Sequence, residues 1–402
     1  MRLRILYTVC VLCGYLKFFR ASFNASSYQY MKMLVHGMIY LEGQVNCKRI
    51  SECWQEEVWH QRLIDFLNHG KYNLNQVNED RFNQLLPLAL KHPKNRDVLS
   101  KYVMFSIDPT NFKKYKDKQM QGVHYTGDGE GIYKAHSMVM SCFIYGSSCI
   151  PFKKILYWGS QGVPKGRQIP KSQIYLKLAR KAEKIKVFGK KRIAVFDGEG
   201  CSKKVLPYFH KSPEWSGFVT KFPRTRNIVV AGKSQHIRRY LSGLKNTEFP
   251  PMLIGNKEVY YHELEVEVPS LAFLGRCRRV VIQDEPGNVD QKTMRVLITD
   301  VMDLTVEQIL TIYRRRWKEE TYHQIIKDRL GVKTYKHRRL KAIMRFLELA
   351  DVAYCFLEYR RLKDKVWESS LSEVRNALIR KAEYRLCVKF NLQLPKRLVV
   401  NG

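Results

Sequence analysis

Three features of the chain predict an α/β fold with helical regions at both ends. The apolar runs Tyr102–Ile107 and Ile193–Phe196 are short, β-prone and nearly continuous, as expected for strands buried in a helix-covered sheet. Much further on, a helix with start and stop signals lies between Thr305 and Gly331. Between them, roughly 222–300 has the period-two alternation of Glu263-Leu-Glu-Val-Glu-Val268, which predicts a β-rich insertion.

Residues 1–99 read as helical. Arg2 and Arg4 precede the largely apolar Ile5–Phe19, the pattern of a signal-peptide n- and h-region. Lys17 interrupts that run, Arg20 closes it, and it is too short to span a bilayer. It is therefore read as a buried helix or a loosely assigned start. Tyr30–Leu41, Val58–Leu67 and Glu79–Lys91 have helical apolar spacing, and Asn46–Ser51 reads as a basic joint between two of them. Short helices with basic joints suit a helix-turn-helix-like DNA reader, and they suit an ordinary packing subdomain equally well.

From 100 to about 221 the order is strand, strand, strand, helix, strand, helix, strand. Lys134–Tyr145 and Phe152–Trp158 form a hairpin-like pair around Gly146–Pro151. The loop 159–170, with Lys165 and Arg167, leads to Lys171 and the helix Lys171–Lys186; these cations either lie over a DNA backbone or are simply solvated. Strand Arg192–Phe196, helix Ser202–His210 and strand Gly217–Lys221 follow. In the insertion, Arg279–Gln283 and Met294–Thr299 are strands joined through Pro286-Gly287-Asn288. Past Gly331, Arg339–Asp364 is a long core-packing helix and Val366–Lys381 a shorter basic one. The organisation is thus 1–99, 100–335 with the insertion at about 222–300, and 336–402.

Charge narrows the partners. Lys and Arg number 71 against 37 acids, a formal net charge of +34 over 402 residues. Such an excess implies a polyanion. The basic residues recur along the whole length among 23 Tyr and 19 Phe, which favours nucleic acid over a membrane surface. The 10 Cys are scattered; Cys10-x-x-Cys13 alone has close metal-type spacing, without a second pair, so reduced thiols in a cytosolic compartment are expected.

The helix after Thr305 carries the most informative pattern. Thr305 and Gln308 form a capping box, Leu304 and Ile309 are placed for a hydrophobic staple, and Gly331 stands where a left-handed C-terminal residue is expected. At about 100° per residue, Tyr313, Arg316, Glu320 and Lys327 fall within roughly 60° of one another. A solvated basic face has the same spacing. However, Tyr313-x2-Arg316-x3-Glu320-x6-Lys327, with Trp317 directly after the Arg, resembles the signature of DDE transposases of the insertion sequence 4 family. Upstream, Asp108 closes the first apolar run before Pro109 and Thr110, and Asp197 closes the second before Gly198. Both resemble the family's two strand-end aspartates, and the element order suits its ribonuclease H-like catalytic core, interrupted at this point by a β-domain.

The resemblance implies a specific chemistry. Asp108, Asp197 and Glu320 would be the catalytic carboxylates and the ligands of two Mg²⁺ (or Mn²⁺) ions, hard cations that prefer oxygen donors. Tyr313, Arg316 and Lys327 would contact DNA. The partners implied are double-stranded DNA, both element terminal inverted repeats and target DNA, and a second copy of the chain, with no membrane. The setting implied is a prokaryotic cytoplasm at the nucleoid. A lone strand-end Asp also fits a turn or helix cap. Asp128-Gly-Glu130-Gly131 is a rival acidic loop, read here as a turn into the next strand; Glu199 is placed near the site rather than in it. Trp317 lies about 40–100° around the helix from the signature residues, which predicts core packing. Tyr313, and Tyr260 and Tyr261 of the insertion, are left to face DNA. A non-catalytic DNA-binding derivative and a stand-alone nuclease of the same fold remain as alternatives.

Overall fold

The computed structural model describes residues 10–389 except 42, 44, 55–56, 96, 98, 115–119, 129–130, 159–168, 224, 255–256, 284–293, 365 and 367–368. The loop cations Lys165 and Arg167, the turn at 286–288 and the start of the N-terminal apolar run lie outside the described residues, as does the Asp128 side chain.

Five helices come first: α1 (Cys10–Leu16), α2 (Ala25–Tyr40), α3 (Cys47–Cys53), α4 (His60–His69) and α5 (Leu74–Lys91). Leu12, Tyr15, Leu16 and Phe19 are buried, and Tyr15 packs on Phe356 and Tyr359, so this part of the N-terminal run is core. Asn46–Ser51 is not a joint but the start of α3: the Asn46 side chain accepts the Arg49 N–H, an N-cap the sequence reading overlooked.

The sheet begins with β1 (Tyr102–Lys113), β2 (His124–Asp128), β3 (Gly131–Tyr145) and β4 (Ser148–Tyr157), then α6 (Lys171–Glu183), β5 (Lys191–Phe196), α7 (Leu206–Lys211) and β6 (Phe218–Lys221). β1 pairs antiparallel with β3 and parallel with β5, and β5 pairs parallel with β6. The hairpin between β3 and β4 is tighter than expected. Gly146, at φ 55°, and Ser147 turn the chain, and the Asn95 side chain accepts the Ser147 N–H. Hence β4 starts at Ser148, and a bulge opposite Met140 and Cys142 absorbs Pro151. A short strand, β2, precedes the acidic segment and pairs antiparallel with β3 as far as Asp128↔Gly131.

The insertion adds β7 (Asn227–Val230), β8 (Lys233–His236), α8 (Ile237–Ser242), β9 (Pro251–Ile254), β10 (Lys257–Glu267), β11 (Arg276–Gln283) and β12 (Arg295–Thr299). It does not form a separate layer. β12 pairs with β6, and β11, β10, β7 and β8 continue outward, so one twelve-stranded mixed sheet runs through the chain. Along β10, Leu264 and Val266 are buried while Glu263, Glu265 and Glu267 face outward, as the alternation predicts.

The remaining helices are α9 (Val306–Arg315), α10 (Trp317–Gln324) running into a π turn at Ile325–Arg329, α11 (Leu340–Lys363) and α12 (Leu371–Lys389). α11 is buried nearly all round, packed against α2, α4 and α5 and against β4. Its buried acids are neutralised from two directions. Arg81 of α5 meets Glu348 at 3.1 Å and Asp351 at 2.9 Å, and Lys154 of β4 contacts both. Tyr322 of α10 donates to Asp351 at 2.7 Å, so the network also pins α10. The described cysteines form no disulfide, and among the described residues no helix is long and apolar enough to cross a membrane.

Removing Arg81 leaves two buried acids facing only Lys154. Arg81→Ala is expected to cost about 3–5 kcal/mol of stability, a loss read directly by urea unfolding.

Candidate active site

Strand register brings the two aspartates together. The parallel pairing of β1 with β5 ends at Ile107↔Phe196, so Asp108 and Asp197 are the next residues on the two segments, side by side where the parallel ladder stops. Asp108 does not end its strand, contrary to the sequence reading. β1 continues to Lys113 because β3 keeps pairing with it through Lys113↔Ala135 after β5 has turned away. Pro109 falls in this half-edge stretch, where strands tolerate proline. Asp197 does leave the sheet. Its carboxylate accepts the Gly198 N–H at 2.6 Å and caps a short 3-10 turn, Gly198–Gly200, so the cap role and a place at the site coexist.

The third acid arrives on α10. Its approach is set by β1, whose residues Ser106, Asp108 and Thr110 share one face. Ser106 donates to Glu319. Asp108 lies 3.9 Å from the Arg316 guanidinium and 3.8 Å from His323 Nδ1. Thr110 receives a hydrogen bond from Lys327 Nζ at 2.6 Å. Three side chains in a row on the strand thus clasp the helix. Arg316 in turn reaches Glu320 at 3.3 Å, so one guanidinium lies between Asp108 and Glu320.

The helix is not one regular rod. The Arg316 N–H bonds to Tyr313 O and the Glu319 N–H to Arg316 O, a tightened turn separating α9 from α10. At the far end the Leu330 N–H reaches back five residues to Ile325 O, closing the π turn, and Gly331 terminates it at φ 71°. The capping box at Thr305 and Gln308 is present, and Leu304 and Ile309 are buried. These breaks explain Trp317. A uniform 100° step predicts core packing, yet Trp317 is 65% exposed, because the tight turn at Arg316 resets the phase. Arg316 goes inward instead, at 7% exposure.

Electrostatically, burial and the neighbouring acids dominate the site. Burial, then the charges of Glu320, Asp197 and Glu199, push Asp108 up to about 7 despite Arg316. Burial and the nearby Asp108 hold Glu319 well above the usual carboxylate range. Burial, with the charge of Lys327, pushes His323 down to about 3, so it faces Asp108 as a neutral ring. Its Nε2, one oxygen of Glu319 and Arg316 Nε are buried without a hydrogen-bond partner. Among the described residues, no group of three or more His, Cys, Asp or Glu is drawn tightly enough to hold a metal ion as it stands. The donor chemistry nevertheless fits a hard divalent cation: oxygen ligands from Asp108, Asp197 and Glu320, with Asp108 raised by burial and by the repulsion of the other acids.

A cleft of about 540 Å³ opens beside Asp197 and Glu320. Asp197, Tyr313, Arg316, Trp317 and Glu320 line one side, and Lys257, Val259 and Arg295 of the insertion line the other. Tyr260 and Tyr261 do not line it; the Tyr260 hydroxyl donates to Glu258 instead. Glu199 stands at the periphery, paired with Lys171 at 2.7 Å. Sequence reasoning missed Glu319 and His323. The available signal was that Glu319, Tyr322, His323 and Ile326 recur at helical spacing on a face whose other members are apolar. Lys257 and Arg295 carried no such signal, since only sheet pairing brings them to the cleft.

No protein-family model matches this chain, and no curated protein matches it. Among solved structures it is similar to a piggyBac transposase in a synaptic complex with hairpin DNA, at 11% identity and a TM-score of 0.48, over 98% of this chain and 82% of that one. The functional reading below rests on the residues of the cleft.

The raised Asp108 has a measurable consequence. A carboxyl whose folded value lies above its unfolded value contributes stability at low pH and loses it as pH rises through about 7. Without divalent cations, Asp108→Asn is therefore expected to raise the melting temperature at pH 8 and to change it far less at pH 5, as differential scanning fluorimetry would show.

Proposed function

We propose that this protein is a DDE transposase with a ribonuclease H-like core, cutting DNA at the ends of an insertion sequence and joining the 3′ ends to target DNA. The observation that carries the reading is the convergence of Asp108 and Asp197 on neighbouring parallel strands with Glu320 on the clasped helix. Tyr313, Arg316 and Glu320 of the signature that resembles the insertion sequence 4 family line the cleft, and the order of strands and helices from β1 to α10 supports the core assignment.

In this reading Asp108, Asp197 and Glu320 would hold Mg²⁺ or Mn²⁺. When bound, such ions stabilise charge on phosphate oxygens and lower the pKa of water. The chain's own residues do the rest. Arg316, held between two acids, places positive charge beside the reacting phosphate. Lys327, fixed by Thr110, is set two residues further along β1 for the neighbouring phosphate. Phosphate contacts of this kind orient the duplex without reading sequence. Trp317, exposed at the cleft, offers a ring for stacking a base at the DNA end, an interaction worth about 1–3 kcal/mol. Two copies of the chain would bridge the two terminal inverted repeats, in a prokaryotic cytoplasm at the nucleoid.

Cleavage of an end-bearing duplex should require Mg²⁺ or Mn²⁺ and should be abolished by Asp108→Ala, Asp197→Ala or Glu320→Ala, with duplex binding retained. Normal cleavage by Asp108→Ala would sink the assignment. Strand transfer in a gel assay distinguishes a transposase from a nuclease that only nicks, and a chain that binds but never cuts is the non-catalytic derivative.

Lys327→Ala should flatten the salt dependence of end binding by about one unit of slope, the contribution of one phosphate contact. A titration with unchanged slope and unchanged cleavage would leave Lys327 with only its tether to Thr110.

A further inference from the structure

A second cationic surface lies at the opposite end of the sheet. Asp197 follows the last residue of β5, whereas Lys190 precedes the first, which separates them by about 20 Å at ~3.3 Å per residue. That exceeds the Debye length of about 8–10 Å at moderate salt, so the two ends act independently. Between α5 and the end of α6 there is a groove of about 580 Å³ whose walls include Asn75, Lys153, Lys181, Lys184, Lys186 and Phe188.

Two features of this groove work against stability. Along α6 and its C-cap, Lys177, Lys181 and Lys184 recur at i, i+4 and i+7, a like-charge row that destabilises a helix and carries the cationic surface past the groove wall to Lys177. None of these three, nor Lys186, carries an ion pair among the described residues. From Lys177 to Lys191 there is one acid, Glu183, and it is turned away to Ser212 and Trp215. Glu79 is the one carboxylate on the groove. Burial, then the charges of Lys153, Lys177 and Lys184, hold Lys181 below its ordinary value. The second feature is Phe188. The Lys190 N–H bonds to Val187 O at 3.1 Å, closing a turn whose central residues, Phe188 and Gly189, both have positive φ, 51° and 76°. Such turns favour Asn-Gly. Here a bulky ring occupies the strained position and is 62% exposed beside the lysines. A strained aromatic held out in a row of unpaired cations points to a ligand rather than to packing.

We propose that this groove binds the sugar–phosphate backbone of double-stranded DNA away from the reacting end, with the lysines on phosphates and Phe188 against the minor-groove wall. Charge complementarity selects a polyanion, and an exposed apolar wedge beside phosphate-binding cations is how minor-groove contacts are built. The proposal rests on the reading of the protein as a DNA enzyme and adds a second contact surface to it.

The test uses the full chain and a duplex of about 30 base pairs closed by a hairpin loop at each end, with affinity followed against salt by fluorescence anisotropy. The variant Lys177→Gln/Lys181→Gln/Lys184→Gln/Lys186→Gln should lower the magnitude of the slope of log K against log salt by roughly 3 and weaken binding tenfold or more. Its Mg²⁺-dependent single-turnover cleavage of an end substrate, measured with protein in saturating excess so that weaker binding is offset, should be unchanged. Phe188→Ser should weaken closed-duplex binding without altering the slope. If the fourfold variant melts early, Lys181→Gln alone should lower the slope by about one. An unchanged slope overturns the proposal and leaves the active-site reading intact. So does equal loss of single-turnover cleavage at saturating protein, or loss of binding to phosphatidylserine vesicles with duplex binding retained. A wild-type chain that binds no duplex at all overturns both readings.

Discussion

One face of one strand holds the candidate site together. Ser106, Asp108 and Thr110 point the same way along β1, and each engages the helix that brings the third acid: Ser106 holds Glu319, Asp108 faces Arg316 and His323, and Thr110 receives Lys327. The strand's alternation sets the spacing of these contacts, and the helix meets it across about three turns. A shift of β1 by one residue would turn all three side chains to the other face and part Asp108 from Asp197. The register with β5 is therefore the most consequential pairing in the sheet.

That register is protected from behind. The charges on α11 are matched by Arg81 from the N-terminal helices and Lys154 from β4, and Tyr322 links the same network to α10. Buried ion pairs add little net stability, but they penalise misplacement heavily. Here they join four elements distant in sequence, so the helical N-terminal region is part of the scaffold of the site. This favours the packing-subdomain reading of that region and leaves its exposed faces open for DNA.

The irregularities of the helix that carries Glu320 have a shared effect. The tight turn at Arg316 sends the guanidinium inward between two acids and Trp317 outward to the cleft, and the π turn at Ile325–Arg329 lets Lys327 reach β1. The insertion, built as an extension of the same sheet, closes the other wall with Lys257 and Arg295. Cations thus surround a mutually repelling set of acids, an arrangement suited to a phosphodiester that brings its own negative charge.

The sequence by itself determined the local elements and the chemistry available to them. Capping at Thr305, the stop at Gly331, the alternation along β10 and the extent of α11 depend on neighbours within a few residues, and all were legible. The three acids and the basic signature were named through a family resemblance, and the polyanionic partner was inferred from a charge of +34. Tertiary structure decided what propensity does not encode. β1 runs past Asp108 because β3 goes on pairing with it; the insertion joins the main sheet because β6 offers a free edge to β12; Trp317 faces out because Arg316, drawn to Asp108 and Glu320, tightens the turn before it. In each case the outcome rests on a partner far away in sequence, and periodicity along the chain carries no information about such partners.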